Sequence, residues 1–466
     1  MSSIKNTGAS MIEIPALIRD QKDYFSTGQT REVRFRMAQL DTLQKAVAKN
    51  RTKILDALHK DLAKSAYEGY LTEVGIVLDE IRFIKKHLPK WSKARRVRTR
   101  LIQLPGSSYI YPEPYGVSLI ISPWNYPFQL VIDPLIGSMA AGNCSVIKPS
   151  EYAPHTGRVF SEIIADNFDP QYIAVVEGEA DVSRTLLDEE FDYIFFTGSV
   201  AVGRAVMQAA ARHLTPVTLE LGGKSPCVVD RDVNLDVTAK RICSGKFINA
   251  GQTCIAPDYL LVHQEIKKEL IDRLQYFIHQ FYGADPQQSA DYPRIVNEKH
   301  FRRLTEMMQG GNIIAGGQVE SQNLYIAPTI VDDVEWDDPL MQAEIFGPIL
   351  PVLVYDHLSD AISKVNNLPK PLAFYFFSNN RQNSEKIIKD TSFGGGCIND
   401  TLLHFTNPYL PFGGTGTSGI GSYHGKESFE TFSHQKSILK KSFRLDAPLR
   451  YPPYGNKLKI LEKIMR

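Results

Sequence analysis

Two short stretches of this 466-residue chain carry the residue types that thiol chemistry requires. One stretch ends in Cys254, which follows Asn-Ala-Gly-Gln-Thr, and the other places Glu220 directly before Leu-Gly-Gly-Lys. A free thiol has a pKa near ~8.5 and is mostly protonated at neutral pH, so a nucleophilic cysteine needs a base or N–H donors beside it. The small residues before Cys254 leave room for backbone N–H groups. Glu220 ends a predicted strand and could reach a shared cleft; without a partner it would be an ordinary polar strand end.

A third stretch, Ser-Pro-Trp-Asn-Tyr-Pro over residues 122–127, could supply a rigid hydrogen-bond donor. Pro123 and Pro127 restrict the backbone on either side of Asn125, so its carboxamide would be held in one place. A preorganised donor aimed at a developing oxyanion is worth about 10²–10³ in rate. The alternative is a structural asparagine that caps the next helix.

Two further stretches have the composition of a dinucleotide site. Residues 198–203, Gly-Ser-Val-Ala-Val-Gly, follow a predicted strand and precede a predicted helix over 204–212, where a helix N-terminus could hold a pyrophosphate. The Gly-x4-Gly spacing differs from GxGxxG and equally fits a tight strand-to-helix turn. Lys148 and Glu151 follow another strand; there a carboxylate would bind ribose hydroxyls and repel a 2′-phosphate, which favours NAD and leaves NADP open. A surface loop explains this pair as well.

Glu344 and Phe346 precede a Gly-Pro turn. The carboxylate could hold a ribose and the ring could back a nicotinamide, whereas Phe346 alone fits a core position equally well.

Composition excludes several classes of protein. The net charge of +1 and the 43% hydrophobic content are those of a globular protein with no general attraction to nucleic acid or membranes. No apolar stretch approaches the ~20 residues that span a bilayer, and residues 1–10 lack a secretory signal. The five scattered cysteines lack CxxC spacing, which predicts no disulfide framework, no metal site and a cytoplasmic location. The basic run over residues 93–100 is interpreted as a solvated face or a subunit contact.

Hydrophobic periodicity predicts helices over the first 90 residues and then two sets of short strands that alternate with helices. The predicted strands cover residues 117–122, 144–148, 172–177, 193–197 and 216–220 in the first set, and 227–230, 259–263, 350–355 and 373–378 in the second. This order predicts two doubly wound α/β domains with parallel sheets. Residues 107–114 alternate like an edge hairpin and, with the tail after Phe405, are expected to form a small antiparallel flap for pairing with another subunit.

These motifs, in this order, resemble the aldehyde dehydrogenase superfamily from about Val33 to Leu439. The short segment before the first strand, the loop Gly-Gln-Thr-Cys-Ile-Ala-Pro-Asp-Tyr and the tail sequence Phe-Glu-Thr-Phe-Ser-His over 429–434 look closest to class 3 and the fatty-aldehyde members. The resemblance implies an NAD-binding domain over residues 1–92 and 115–219 and a catalytic domain over 220–403. Residues 93–114 and 404–466 would form the oligomerisation flap and tail.

The resemblance also implies a role for each motif. Cys254 would be the nucleophile, Glu220 the general base, and Asn125 with the Cys254 N–H the oxyanion hole. The implied cofactor-binding residues are Trp124, Lys148, Glu151, Gly198, Ser199, Gly203, Glu344 and Phe346. The reaction would oxidise an aldehyde to a carboxylic acid through a thiohemiacetal and a thioester, with NAD or NADP. A base at position 220 favours hydrolysis of the thioester over transfer to coenzyme A or phosphate.

Substrate and partners follow from the resemblance with less detail. Aromatic and polar side chains expected at the substrate funnel are Tyr70, Tyr126, Thr253, His404 and Phe405; packing of a domain interface is the alternative. A funnel of this kind would suit medium- or long-chain aliphatic or aromatic aldehydes, and class 3 relatives suggest a homodimer. The amphipathic stretch 457–466 is interpreted as a surface or interface helix, with peripheral membrane contact as the alternative.

Two other functions compete with this interpretation. A cofactor-independent cysteine hydrolase would need a histidine base, for which His404 or His424 are the distant candidates. A non-catalytic dinucleotide-binding scaffold would not need the set Cys254, Glu220 and Asn125.

Overall fold

The computed structural model describes residues 13–444, 446 and 448–465, together with the side chains of these residues apart from 464 and 465. Residues 1–10, in which the sequence shows no secretory signal, and Arg466 lie outside the described residues. None of the described helices combines the length and the apolar character that a bilayer-spanning segment requires.

The first part of the described chain is helical, as the periodicity predicted. The helices are α1 (Ile14–Ser26), α2 (Val33–Lys49), α3 (Arg51–Leu62), α4 (Ala66–Gly69) and α5 (Gly75–Trp91), with a π-helical turn, Tyr70–Val74, between the last two. Leu40 and Leu43 of α2 and Val77 and Ile81 of α5 are fully buried. The predicted apolar stripe therefore forms the inner face of this helical layer.

The next part contains a flap strand pair and the first set of βαβ units. Its elements are β1 (Arg95–Val97), β2 (Gly106–Pro114), β3 (Val117–Ile121), α6 (Gln129–Ala141), β4 (Cys144–Lys148), α7 (Pro154–Asn167), β5 (Ile173–Val175), α8 (Ala180–Asp188), β6 (Tyr193–Thr197), α9 (Val200–Ala211) and β7 (Val217–Glu220). Five of these strands pair in parallel in the order β7-β6-β3-β4-β5. The strand order reverses between β3 and β6, which is where open α/β sheets bind ligands.

The second set of βαβ units follows directly. Its elements are β8 (Pro226–Val229), α10 (Leu235–Phe247), β9 (Tyr259–His263), α11 (Lys267–Tyr282), α12 (Glu298–Met307), β10 (Asn312–Ala315), β11 (Val319–Glu320), β12 (Tyr325–Ile326), β13 (Thr329–Asp332), α13 (Pro339–Gln342), β14 (Ile349–Tyr355), α14 (Leu358–Asn366), β15 (Ala373–Phe377), α15 (Arg381–Asp390) and β16 (Gly395–Ile398). The sheet order is β10-β13-β14-β9-β8-β15-β16, and only β10 runs antiparallel to its neighbour. The predicted pair of doubly wound α/β units is thus confirmed.

The tail adds β17 (Gly419–Ile420), α16 (Lys426–Thr431), β18 (Ser433–Lys441) and α17 (Leu458–Met465). β18 pairs with β2 along its whole length, and β1 pairs with the other side of β2, so the predicted antiparallel flap is present. The expectation that residues 107–114 form an edge hairpin is wrong, because β2 is the central strand and β18 covers the edge it would otherwise expose. β17 pairs antiparallel with β7, and this piece of the tail therefore extends the first sheet.

The helix after β6 begins earlier than predicted. α9 starts at Val200 instead of residue 204 because the Ser199 hydroxyl accepts a hydrogen bond from Val202 N at 3.4 Å and caps the helix. The helix N-terminus consequently lies next to Gly198, at the end of β6.

Candidate active site

Two cavities meet at Cys254. The larger, of about 710 Å³, is lined by Glu220, Tyr70 and residues of α5 and α10, and the smaller, of about 230 Å³, by Asn125, Gly198 and Glu344. Only Leu130, Thr197 and Cys254 line both. We call them the wide cavity and the narrow cavity. A side chain at Cys254 can therefore face a molecule in either space.

The backbone that presents Cys254 is held in an uncommon conformation. Asn249, Ala250 and Gly251 have φ angles of 51°, 50° and 73°, in the left-handed region that residues with a Cβ rarely adopt. A Cβ at Gly251 would collide with the carbonyl of Gly347, so only glycine allows these two loops to touch. Such strain persists only where the surrounding structure holds it, and it is concentrated at functional sites.

The Cys254 thiol lies in an apolar setting with the carboxyl groups of two glutamates nearby. Burial raises its pKa, and the carboxyl groups of Glu344 and Glu220 raise it further, while the backbone N–H groups of Cys254 and Ile255 oppose the shift. A protonated thiol at neutral pH is the resting state of this arrangement, and a base is needed to generate the thiolate. Cys227 and Cys243 are also buried with raised pKa, but they lie inside strand β8 and helix α10 and line neither cavity.

Glu220 is the candidate base. It ends β7, is 2% exposed, and neither of its carboxyl oxygens has a hydrogen-bond partner in the described part of the chain. Burial raises its pKa well above the usual range of a glutamate. A carboxyl group that is desolvated and unpartnered at a cavity wall is suited to exchange a proton with a water molecule or a reacting group.

Asn125 reaches the same region from the first sheet. Its Nδ2 donates to the Gln252 carbonyl at 3.1 Å, two residues before Cys254. Its own backbone carbonyl accepts from Lys64 Nζ at 2.9 Å and from Asn249 Nδ2 at 2.8 Å. Asn125 is therefore held beside the cysteine loop by contacts from two separate segments, the loop itself and the turn that contains Lys64.

The narrow cavity has aromatic and charged walls. Trp124 contacts Phe346 edge to face at a centroid distance of 5.3 Å and His300 at 4.9 Å. Glu344 lines the same space, and burial together with the charge of Asp258 raises its pKa to about 8. A Cβ at Gly222 would collide with the Glu344 carboxylate, so this glycine makes the space that Glu344 occupies.

The residues present fit a dinucleotide in this crevice. Gly198 and Ser199 line the narrow cavity at the start of α9, where the helix dipole favours phosphate, and the Thr197 hydroxyl beside them has no partner among the described residues. Gly203 does not line the narrow cavity but contacts the Leu221 side chain. Since a Cβ at position 203 would collide with Leu221, this glycine allows α9 to pack closely on the loop after β7. Lys148 donates to Glu151 at 2.8 Å at the end of β4, away from the narrow cavity and on the same edge of the sheet.

The predicted funnel residues lie in the wide cavity with one difference. Tyr70, Tyr126 and Thr253 line it, and the Tyr126 hydroxyl is 2.6 Å from Thr253 Oγ1. His404 does not line the wide cavity, although its chain neighbours Leu403 and Phe405 do. Its Nδ1 is 3.5 Å from Cys397 Sγ, and its ring centre is 6.0 Å from that of Phe412. His424 does line the wide cavity, and burial lowers its pKa to about 3.

Sequence reasoning missed two residues of the narrow cavity. His300 and Arg303 come from α12, and Arg303 donates to the carbonyls of Glu344 at 3.2 Å and Ile345 at 2.5 Å. Burial lowers the pKa of His300 to about 4, and its Nδ1 has no partner in the described structure. No motif marks this helix, because its two residues reach the site only through the packing of α12 on the loop around Glu344.

Comparisons with known proteins give a consistent result. The model of the aldehyde dehydrogenase family matches residues 4–438. The chain is similar to 4,4'-diaponeurosporen-aldehyde dehydrogenase of Staphylococcus aureus, with 50% identity over 96% of this chain and 98% of that protein. It is also similar to the dimeric NADP-preferring aldehyde dehydrogenase of Mus musculus, with 46% identity over 96% and 99%.

A solved structure resembles the whole fold. The substrate-bound state of Staphylococcus aureus AldH superimposes with a TM-score of 0.96 at 49% identity and covers 97% of this chain and 99% of that one. Further relatives are named members of aldehyde dehydrogenase family 3, in agreement with the class that the loop and tail sequences indicated.

Proposed function

Because the chain belongs to the aldehyde dehydrogenase family, we propose that it oxidises medium- to long-chain aliphatic or aromatic aldehydes with NAD or NADP, using Cys254 as nucleophile. Oxidation of aldehydes is the activity of the family; the substrate class, the cofactor and the residue roles are the proposal. The observation that carries it is the position of Cys254 between two cavities of different character, one with Glu220 and one with Asn125.

Carbon–sulfur bond formation is the first step. The Cys254 thiolate attacks the aldehyde carbon from the wide cavity, and the carbonyl oxygen gains the negative charge of a tetrahedral thiohemiacetal. The Asn125 carboxamide and the Cys254 N–H would stabilise that oxygen, because Asn125 is fixed to the loop that precedes Cys254 and the Cys254 N–H lies at the thiol before the substrate arrives.

The second step leaves a thioester on Cys254. A dinucleotide bound in the narrow cavity would supply the acceptor for the hydride that leaves the tetrahedral carbon. Trp124 and Phe346 supply aromatic walls for a flat ring, and Glu344 supplies a carboxylate for a sugar hydroxyl. Gly198 and Ser199 would face a phosphate at the start of α9.

Hydrolysis of the thioester is assigned to Glu220. Its raised pKa and unpartnered oxygens suit a group that takes a proton from water as the water attacks the acyl carbon, with Cys254 sulfur as leaving group. The products are a carboxylic acid and the free thiol. The same carboxylate could receive the Cys254 proton before the first step.

Cofactor choice rests on opposing indications. Glu151 places a negative charge next to Lys148 at the strand end expected to face the adenosine ribose, which disfavours a 2′-phosphate. The mouse relative is named NADP-preferring. We propose NAD as the main cofactor, with NADP also accepted.

The wide cavity supports long apolar substrates. Leu71, Ile76 and Leu403 are among its lining residues, and Leu71 lies 51% exposed at the mouth. The Staphylococcus aureus relative is named for 4,4'-diaponeurosporen-aldehyde.

Assembly and location complete the proposal. A homodimer is supported by the name of the mouse relative and by β18, which is a largely exposed edge strand of the flap. Five free cysteines support a cytoplasmic location.

Peripheral membrane contact by α17 is a further part of the proposal. The side chains of Leu458 and Ile460 are exposed there, beside Lys457 and Lys459. Deletion of α17 should then abolish binding of the protein to liposomes.

The decisive experiment is a substrate panel. Purified protein is mixed with alkanals of increasing chain length and with NAD or NADP, and formation of reduced cofactor is followed by absorbance while the acid product is quantified. We expect kcat/KM to rise with the chain length of the alkanal. The carboxylic acid and the reduced cofactor should form in equal amounts. Turnover of an aryl ester without cofactor at the aldehyde rate, and no reduced cofactor, would instead support a cysteine hydrolase.

A further inference from the structure

A fully buried ion pair lies next to the active-site loops. Lys64, in the turn after α3, and Glu73, in the π-helical turn, are both 0% exposed, and Lys64 Nζ is 2.5 Å from Glu73 Oε1. Neither residue lines the wide or the narrow cavity. Removing two charges from water is costly, and a buried ion pair is weak evidence for stability alone. The pair therefore needs another explanation.

The hydrogen bonds of the pair lead directly to Asn125. Lys64 Nζ donates to the Asn125 carbonyl at 2.9 Å, and Nζ also lies 4.1 Å from the centre of the Tyr126 ring. The second oxygen of Glu73 accepts from Phe128 N at 2.8 Å and Gln129 N at 3.2 Å. The ion pair thus ties down both ends of the segment 125–129.

A second set of contacts joins the same carbonyl to the cysteine loop. Asn249 Nδ2 donates to the Asn125 carbonyl at 2.8 Å and to the Gln252 carbonyl at 3.1 Å, the acceptor that Asn125 Nδ2 also uses. Glu68 Oε1 accepts from Asn249 N at 2.9 Å, at the start of the left-handed run. One buried network therefore connects the helical layer, the Asn125 loop and the strained segment before Cys254.

We propose that Lys64 is a positioning residue whose ammonium group, neutralised by Glu73, fixes the Asn125 carbonyl and thereby aims the Asn125 carboxamide at the oxygen that becomes negative when Cys254 attacks. The inference rests on the proposed function. Lys64 itself contacts neither substrate nor cofactor. A displacement of about 1 Å at such a donor costs roughly 10²-fold in rate, so the network governs kcat although it lies outside the cavities.

Two variants distinguish a role of Lys64 in positioning Asn125 from a role in neutralising the charge of Glu73. Lys64→Met leaves the Glu73 carboxylate buried without its cation, whereas the double variant Lys64→Met with Glu73→Gln removes both charges and keeps one side-chain oxygen that can accept from Phe128 N and Gln129 N. Arg36→Met is the matched control: Arg36 is a buried cation that donates to the carbonyls of Thr30 and Ala140, each at 3.1 Å, at the far end of α6.

We expect the double variant to unfold near the parent midpoint and yet to show kcat lowered by about 10²-fold. Its affinity for reduced dinucleotide, measured by fluorescence, should stay within about twofold, since neither substituted residue lines the narrow cavity and Asn125 is the one wall residue expected to shift. Arg36→Met should lose stability without a specific loss of kcat in its folded fraction. A double variant that recovers both the stability and the kcat of the parent would overturn the proposal, because Lys64 would then only neutralise Glu73.

Asn249→Gly provides a test that buries no charge. Glycine adopts the left-handed conformation at position 249 readily, so this variant removes the Nδ2 donor that the carbonyls of Asn125 and Gln252 share and keeps the backbone of the segment. A kcat lowered at least about tenfold supports the network; a kcat within about twofold of the parent contradicts it.

Hydrogen exchange separates failure of this inference from failure of the proposed function. In Lys64→Met, the amides of residues 125–129 and 249–254 should exchange faster than in Arg36→Met, whether or not the parent oxidises aldehydes. Unchanged exchange in both segments would refute the positioning role independently of any activity.

Discussion

The two cavities that meet at Cys254 differ in size, in lining and in how their residues arrive there. The wide cavity has about three times the volume of the narrow one and is lined by residues of helices α5, α6 and α10 and of the chain after β16, with Ile76, Leu130 and Phe405 among its apolar side chains. The narrow cavity is lined by loops that follow strands of the first sheet, by the loop around Glu344 and by helix α12, with aromatic rings and charged groups among its side chains. A wide apolar space accommodates many aldehydes, whereas a narrow one with preorganised polar groups suits a single cofactor.

The largest expected effect is the loss of the group that both cavities share. Cys254→Ala should lower aldehyde oxidation by about 10⁴-fold or more, because no other cysteine lines either cavity in the described structure. Binding of reduced dinucleotide, followed by fluorescence titration, should persist, since the narrow cavity keeps its other walls. Cys397→Ala is the matched control, as Cys397 is a partly buried cysteine beside His404; oxidation by Cys254→Ala at the parent rate would show that the nucleophile is assigned wrongly.

The next largest effect is expected from loss of Glu220, the proposed base in the wide cavity. Glu220→Gln should lower steady-state turnover by about 10²–10⁴-fold while the first turnover still releases one equivalent of reduced cofactor, although more slowly than in the parent, because thioester hydrolysis depends on the carboxylate more strongly than formation of the thiolate does. Rapid mixing followed by mass spectrometry of the acyl-enzyme measures this. Turnover at the parent rate without a burst of reduced cofactor would show that Glu220 is not the base for thioester hydrolysis.

The pH dependence follows from the same two groups. Burial raises the pKa of both Glu220 and Cys254, and both act in their deprotonated forms. Parent activity should therefore increase as the pH rises from neutral. In Glu220→Gln, the pH dependence of hydrolysis should flatten, whereas a profile identical to the parent's would place the titrating base elsewhere.

A smaller effect tests the charge expected next to the cofactor. Glu151→Gln removes the carboxylate that pairs with Lys148 and leaves the ammonium free to attract a 2′-phosphate. The ratio of kcat/KM for NADP to that for NAD should rise about tenfold, equivalent to ~1.4 kcal/mol. An unchanged ratio, with each cofactor saturating normally, would show that this residue does not face the ribose.

The smallest effect concerns the mouth of the wide cavity. Leu71→Glu places a charge at an apolar rim and should lower kcat/KM a few-fold for long alkanals and hardly at all for short ones, since each buried CH₂ is worth about 0.8 kcal/mol. Leu214→Glu, at an exposed leucine outside both cavities, is the control. An equal loss for all chain lengths would mean that the substrate enters by another route.

The local pattern of the chain was sufficient to predict much of the fold. The strands at 144–148, 193–197 and 259–263 lie at the predicted residues, because short runs of mainly apolar residues between helical segments are typical of buried parallel strands. The start of α9 and the central position of β2 were predicted wrongly. A side-chain cap and a pairing with a strand far along the chain decided them, and neither leaves a local periodic signal.

The candidate site also has features that the sequence predicted and features that it did not. Its chemistry was visible in the sequence, since a thiol, a carboxylate and a proline-flanked carboxamide each stand in a short stretch of unusual composition. Their proximity, the contribution of His300 and Arg303, and the buried pair of Lys64 and Glu73 were decided by tertiary structure. The residue types fix which reactions are available, whereas distance, burial and desolvation arise only when segments that are remote along the chain pack against one another.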